Sequence, residues 1–365
     1  MLDSRCAQRS RVDAPANSEY WGSILPLNVN DSDLTPEMIV EPRGHVGSTE
    51  MTFRLMMYEI GKFIRNSEPM PPFRGSWQKL IAQSVPLAEK DKMIDELEMT
   101  LESKYLRYCD PVIPLHILAR GFASIVVSKM RLTIRHPRRF PPRGSSMSED
   151  EKKKLFDICL FIVERDNYVH SMDCLRGFLW PLDQEFQVDA FVYLLSELRY
   201  QNPSPLSEKA WSEISKLFKH HPNIVFARSP LYVAIGNLAL ESWESWEARA
   251  QHQQFPHPFR PDFILKLLEK RLAYTDAPVK SAGDAARMDL DDYAPAFYST
   301  SVATDRKSAP SLASDPLAPI DWNYWNDLIQ NDGTYAADDF VAQVEEWSVG
   351  HVGHTTASGP MVVDT

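Results

Sequence analysis

Cysteine is scarce: the 365 residues contain four, Cys6, Cys109, Cys159 and Cys174, with no Cys-x-x-Cys pair among them. That excludes the paired-cysteine zinc modules and the thiol-redox motifs. Cys159 and Cys174 lie in apolar segments, where inert, buried thiols of a reducing compartment are expected. No apolar run approaches the ~18–20 residues of a membrane span. The arginines of MLDSRCAQRSRVDAP are followed by no apolar stretch, so no secretory signal is expected. GxSxG, HExxH, GxxxxGK[ST] and GxGxxG do not occur. Alternating, β-branched strand patterns are nearly absent as well. What remains is a soluble all-α chain, with no metal, cofactor or catalytic site predicted.

The helical pattern runs from about 46 to 275. Phe53, Met56, Met57, Ile60, Phe63 and Ile64 recur every three or four residues, so MTFRLMMYEIGKFIR reads as an amphipathic helix. Residues 87–107 carry a narrower seam of Met93, Leu97, Leu101 and Leu106 on a charge-laced helix. Pro111 and Pro114 open HILARGFASIVVSKMRL, apolar on nearly every side in its middle and hence central. Ser148 and Glu151 fit a capping box before KKKLFDICLFIV, and that helix is expected to continue, straight or kinked, to Trp180, before Pro181. Further helices are predicted in VDAFVYLLSELRY, after a cap at Ser207, and from Pro230 onward.

Charge is divided unevenly. Residues 281–365 hold fourteen of the 50 acidic side chains but three of the 39 basic ones, so the net charge of −11 belongs to this tail and the remainder is neutral. Residues 276–319 are dominated by Ala, Ser, Pro, Thr and Asp and predict disorder. Within the tail, DLDDYAPAFY, DWNYWNDLI and DDFVAQVEEW interleave acids with aromatic groups. Trp322, Trp325, Leu328 and Ile329 fall on one helical face, as a coactivator groove would capture them on induced folding. The other reading is that this island docks on its own helical body. The basic stretch KMRLTIRHPRRFPPRG (129–144) is read as a solvated helix end running into a proline-rich loop, with a nuclear-import or nucleic-acid patch as the alternative.

LPLNVNDSDLTPEM (25–38) combines an extended start with a cluster of turn-forming side chains that bond nearby backbone, a self-capped loop packed on the helical body. Followed by GSTEMTFRLMMYEIGKFIR (47–65), it resembles the fungal-specific transcription factor domain, the all-helical middle homology region of zinc-cluster regulators. IDWNYWNDLIQ (320–330) is similar to the Asp/Trp-rich motif near the C-terminus of many members. On this resemblance, Leu25, Pro26, Leu27, Asn28, Asp31, Asp33 and Leu34 form a family-signature loop. Residues 1–19 are a disordered N-terminus, 20–275 the regulatory domain without its first helices, and 276–365 an activation-like tail.

The resemblance implies a nuclear transcriptional regulator, of the kind that controls metabolic or secondary-metabolite pathways. Its partners would be proteins: the transcription machinery, a zinc-cluster relative or a second copy. Family members hold two zinc ions with six cysteines beside DNA-reading basic residues. With one N-terminal cysteine, this chain is not expected to bind DNA alone. One alternative is a modulator that pairs with a full-length zinc-cluster factor. The other is an all-α enzyme, which requires acids converging on an apolar bundle, whereas DLDDYAP lies in the low-complexity tail.

Overall fold

The structure, a computed structural model, describes residues 26–65, 76–139, 147–178, 187–226, 229–253, 260–275 and 320–331. The predicted disordered N-terminus, Leu25 of the signature loop and the rest of the acidic tail lie outside these residues. Every α- or 3-10 segment and every turn among the described residues agrees with the all-α expectation, and none of them forms a strand. No helix among them is long and apolar enough to cross a membrane. The chain divides into two compact units, Met1–Phe191 with Trp322–Thr365, and Val192–Asp321.

The first unit is built on helices α1 (Thr52–Arg65), α2 (Ser76–Ile81), α3 (Leu87–Lys104), α4 (Pro114–Thr133) and α5 (Glu149–Ser171). The three-to-four spacing in α1 puts Met56, Met57, Ile60 and Ile64 inside, against Trp77 and Leu80 of α2 and Ile94, Leu97 and Leu101 of α3. Pro114 starts α4 at a position where a missing N–H costs nothing. Ala119, Phe122, Ala123, Val126, Val127 and Met130 of this helix complete the core. Gly121 lets α5 come close, since a Cβ there would meet Val169 Cγ2 at 3.4 Å.

Ser148 caps α5 as the sequence predicts: Ser148 Oγ accepts from the Glu151 amide at 3.3 Å, and the Glu151 carboxylate accepts from the Ser148 amide at 3.2 Å. The helix does not reach Trp180. Met172 turns extended at φ −92° and ψ 108°, and a 3-10 turn, Asp173–Phe178, follows. That turn exposes Cys174, against the expectation of a buried thiol, while Cys109 and Cys159 are buried. The apolar residues around Cys174 misled the pattern because a 3-10 turn keeps Leu175 inside and turns its neighbour outward.

Helix α6 (Val188–Leu198) contains the boundary between the units. The second unit continues with α7 (Pro205–His220), α8 (Asn223–Phe226), α9 (Pro230–His252) and α10 (Asp262–Thr275). The cap of α7 is Ser204, three residues earlier than predicted. Ser207 sits inside the first turn, completely buried. Its hydroxyl accepts from the Trp246 indole at 3.1 Å, so the residue is committed to the core. Trp211, Trp243 and Trp246 pack with centroids 5.0–6.3 Å apart. Phe218 stacks on Phe263 at 4.3 Å. Arg249 donates to the carbonyls of Leu198 and Gln201, both at 3.1 Å, closing the C-terminal end of α6.

Candidate functional site

The site begins where α4 stops. Beyond Thr133 the chain turns through His136, Pro137 and Arg138, all buried. Arg138 forms a two-pronged pair with Asp189 in the first turn of α6: Nε donates to Oδ1 at 2.9 Å and Nη2 to Oδ2 at 2.7 Å. The guanidinium side chain is 3% exposed and the carboxylate 29%. Bidentate geometry and the helix N-terminus both favour the ionised acid. Burial pushes the Asp189 carboxyl up, but the Arg138 charge more than offsets it and leaves the acid far below the usual range.

His136 locks the same corner in its neutral form. Its Nδ1 accepts from the Arg138 amide at 3.1 Å, so the proton sits on Nε2, which donates to the Asp189 carbonyl at 3.2 Å. Burial, with Arg138 and Arg139 nearby, lowers its pKa to about 4, against the opposing pull of Asp189.

Onto this corner packs α11 (Trp322–Asn331), the tail island. Arg138 Nη1, the prong not used by Asp189, donates to Asn326 Oδ1 at 2.8 Å. The Trp322 indole meets the His136 ring edge-on, 4.9 Å between centroids and 83° between planes. Trp325 and Ile329 are buried at 5% and 4% exposure. Trp322 and Leu328 are half-buried, while Asn323, Asp327, Gln330 and Asn331 face solvent. The four candidate residues thus share a single face, and it is turned inward.

The signature loop is a clasp of a different kind. Asn28 Oδ1 accepts from the Thr49 hydroxyl at 2.6 Å, and its Nδ2 donates to the carbonyls of His45 at 2.8 Å and Gly47 at 2.9 Å. Asp33 accepts from the Asn30 amide and lies 2.7 Å from His45 Nε2. Those two contacts lower its pKa, the Asn30 amide more than His45. The Asp31 amide donates to Glu50 at 2.7 Å, and Asn30 Oδ1 accepts from the Glu50 amide at 3.1 Å. Gly47 takes φ +128°, a backbone that side-chain-bearing residues rarely adopt. Val29 is buried, but Pro26, Leu27 and Leu34 are exposed, and Ile39, Val40 and Val46 stand 99%, 78% and 93% exposed.

Of the basic stretch, residues 129–139 are more engaged than a solvated helix end, while 140–144 of the predicted proline-rich loop lie outside the described residues. Arg131 pairs with Asp95 and Glu98, Arg135 with Asp91 at 2.6 Å, and Arg138 with Asp189. Lys129 and Arg138 are buried. Guanidinium groups so engaged offer little to a phosphate backbone, because binding there depends on free cations and released counterions.

In sequence the chain is similar to fungal transcription regulators. The chain is 27% identical over 354 residues to the aurofusarin cluster transcription factor aurR2 of Gibberella zeae, an alignment covering 91% of this chain and 52% of that protein. It is 24% identical over 280 residues to the transcriptional regulator AacuB of Aspergillus aculeatus, covering 75% and 38%. A C6 finger domain transcription factor, hasF of Aspergillus fumigatus, is 23% identical over 215 residues, covering 54% and 28%. The chain therefore spans about half the length of aurR2 and less of the other two. No family model and no solved structure matches.

Sequence reasoning found the aromatic face of α11 but not its receptor. Arg138 and Asp189 lie 51 residues apart, and Arg138 and Asn326 188 apart. The one visible signal was the density of arginine beside a proline at the end of an apolar helix. Such residues must find acceptors once the helix they follow is buried.

Proposed function

We propose that this chain is a nuclear transcriptional regulator of the zinc-cluster type, acting on a fungal secondary-metabolite gene cluster through contacts with other proteins. The helical region is its regulatory body. Residues 276–365 are the recruiting tail, with Trp322, Trp325, Leu328 and Ile329 as the face offered to the transcription machinery. The observation that carries this reading is the similarity to a cluster transcription factor over 91% of the chain. Acid interleaved with Tyr, Trp and Phe in the tail is the composition by which recruiting segments keep aromatic groups available in water. The test fuses residues 281–365 to a heterologous DNA-binding domain in a reporter strain. Activation that falls on replacing Trp322 and Trp325 by Ala is expected; background activity with no effect of those changes would refute the tail's role.

A second reading makes the chain a modulator that pairs with a zinc-cluster relative or with its own copy. The exposed Ile39, Val40 and Val46 favour it, as does the engagement of Arg131, Arg135 and Arg138 in ion pairs. Under this reading the purified chain shifts a promoter fragment only when the relative is added. A shift by the chain alone would exclude it.

A further inference from the structure

The aromatic face with a recruiting role is also the face by which α11 is held. Trp322, Trp325 and Ile329 recur at three and four residues, the spacing of one helical stripe. In this structure that stripe lies on the His136–Arg138 corner, with two of its three side chains buried. One set of indoles cannot fill two grooves at once. The polar contact has the same logic: Arg138 gives two donors to Asp189 and a third to Asn326, so the corner supplies a donor to this helix.

We propose that the corner formed by His136, Arg138 and Asp189 is a helix-receptor site whose ligand is α11, and that docking there withholds the tail's aromatic face from outside partners. This inference rests on the recruiting role given to that face. Capture by a coactivator and docking on the corner are then competing equilibria, and the regulator has a closed and an open state. Docking within one chain commonly competes at an effective concentration of up to about 1 mM. A coactivator present at ~1 μM must therefore bind the helix roughly a thousandfold more tightly than the corner does, or the corner must be loosened first.

The test uses the full chain, joined to a heterologous DNA-binding domain for reporter activity and purified for hydrogen exchange. Arg138→Lys keeps a cation for Asp189 but loses the planar fork that reaches Asn326, and it leaves the tail unaltered. Asn326→Lys opposes Arg138 from the other side. Both are expected to raise exchange of amides 322–331 at least tenfold while α4 stays protected, and to raise reporter output at least threefold. Adding Trp325→Ala should abolish that rise. If Arg138→Lys also exposes α4, Asn326→Lys decides alone.

Exchange of 322–331 in the unaltered chain as fast as in a free peptide would overturn the receptor site. Released amides with unchanged or lower output would overturn the withholding. A rise in output that survives Trp325→Ala would instead refute the recruiting face, while the exchange data still decide whether the corner holds the helix.

Discussion

The loop at 26–51 and the helix at 322–331 are both rich in Asn and Asp, yet they are held by opposite means. In the loop, polar side chains make the structure: Asn28 alone spends both amide hydrogens and its oxygen on partners 17 to 21 residues away, and several of the apolar groups stand in water. In α11 Asn323, Asp327, Gln330 and Asn331 face outward, and burial of Trp325 and Ile329 with one bond from Arg138 to Asn326 does the holding. A loop fixed by hydrogen bonds is specific in shape and can leave apolar surface for a neighbour. A helix fixed by a few apolar contacts can be exchanged for another groove.

The contrast can be broken at its hub. Asp189→Ala strips the carboxylate from a guanidinium that is 3% exposed. Leaving a buried charge unpaired should cost about 3–5 kcal/mol in chemical denaturation, with α11 lost from the corner. Acid should act in the same place. His136 is neutral and buried, with its pKa at about 4 in the folded chain against an ordinary value of 6.5. The unfolded chain therefore takes up the proton first as pH falls. The stability from His136 is complete above about pH 6.5 and is lost progressively toward pH 4, an effect of the order of 3 kcal/mol. His136→Gln should flatten denaturation midpoints across that window.

The loop should answer to a smaller change. Asn28→Asp turns an oxygen toward the carbonyls of His45 and Gly47, where two N–H groups stood. A local loss of about 2 kcal/mol is expected, seen as faster exchange of the His45 and Thr49 amides with α11 unaffected. Smallest is Asn326→Ala, which removes one hydrogen bond to a charged donor and should cost about 1.5 kcal/mol. If Asn28→Asp loosened α11, or Asn326→Ala loosened the loop, the two would not be independent devices.

Much of the fold was legible because it follows from local rules. Spacing of Met56, Met57, Ile60 and Ile64 marked α1, Pro114 and Pro230 marked helix starts, and Ser148 with Glu151 marked a cap. Local rules also failed where two answers were equally local. Ser204 and Ser207 both qualify as caps, and only the distant Trp246 indole decides which serine goes inside. The candidate face on α11 was readable from helical periodicity, whereas its receptor corner was not. Arg138 reads as one of several surface arginines until α6 places Asp189 in front of it.

Cys174 gives the chain a native labelling handle. Burial raises the pKa of the Cys109 thiol and keeps it protonated, Cys159 is shut away in α5, and Cys174 alone of these three meets solvent. With Cys6 replaced by serine, a maleimide fluorophore should attach at a single point on the 3-10 turn after α5. A second dye placed on the tail would then turn the docking of α11 into a distance readable molecule by molecule.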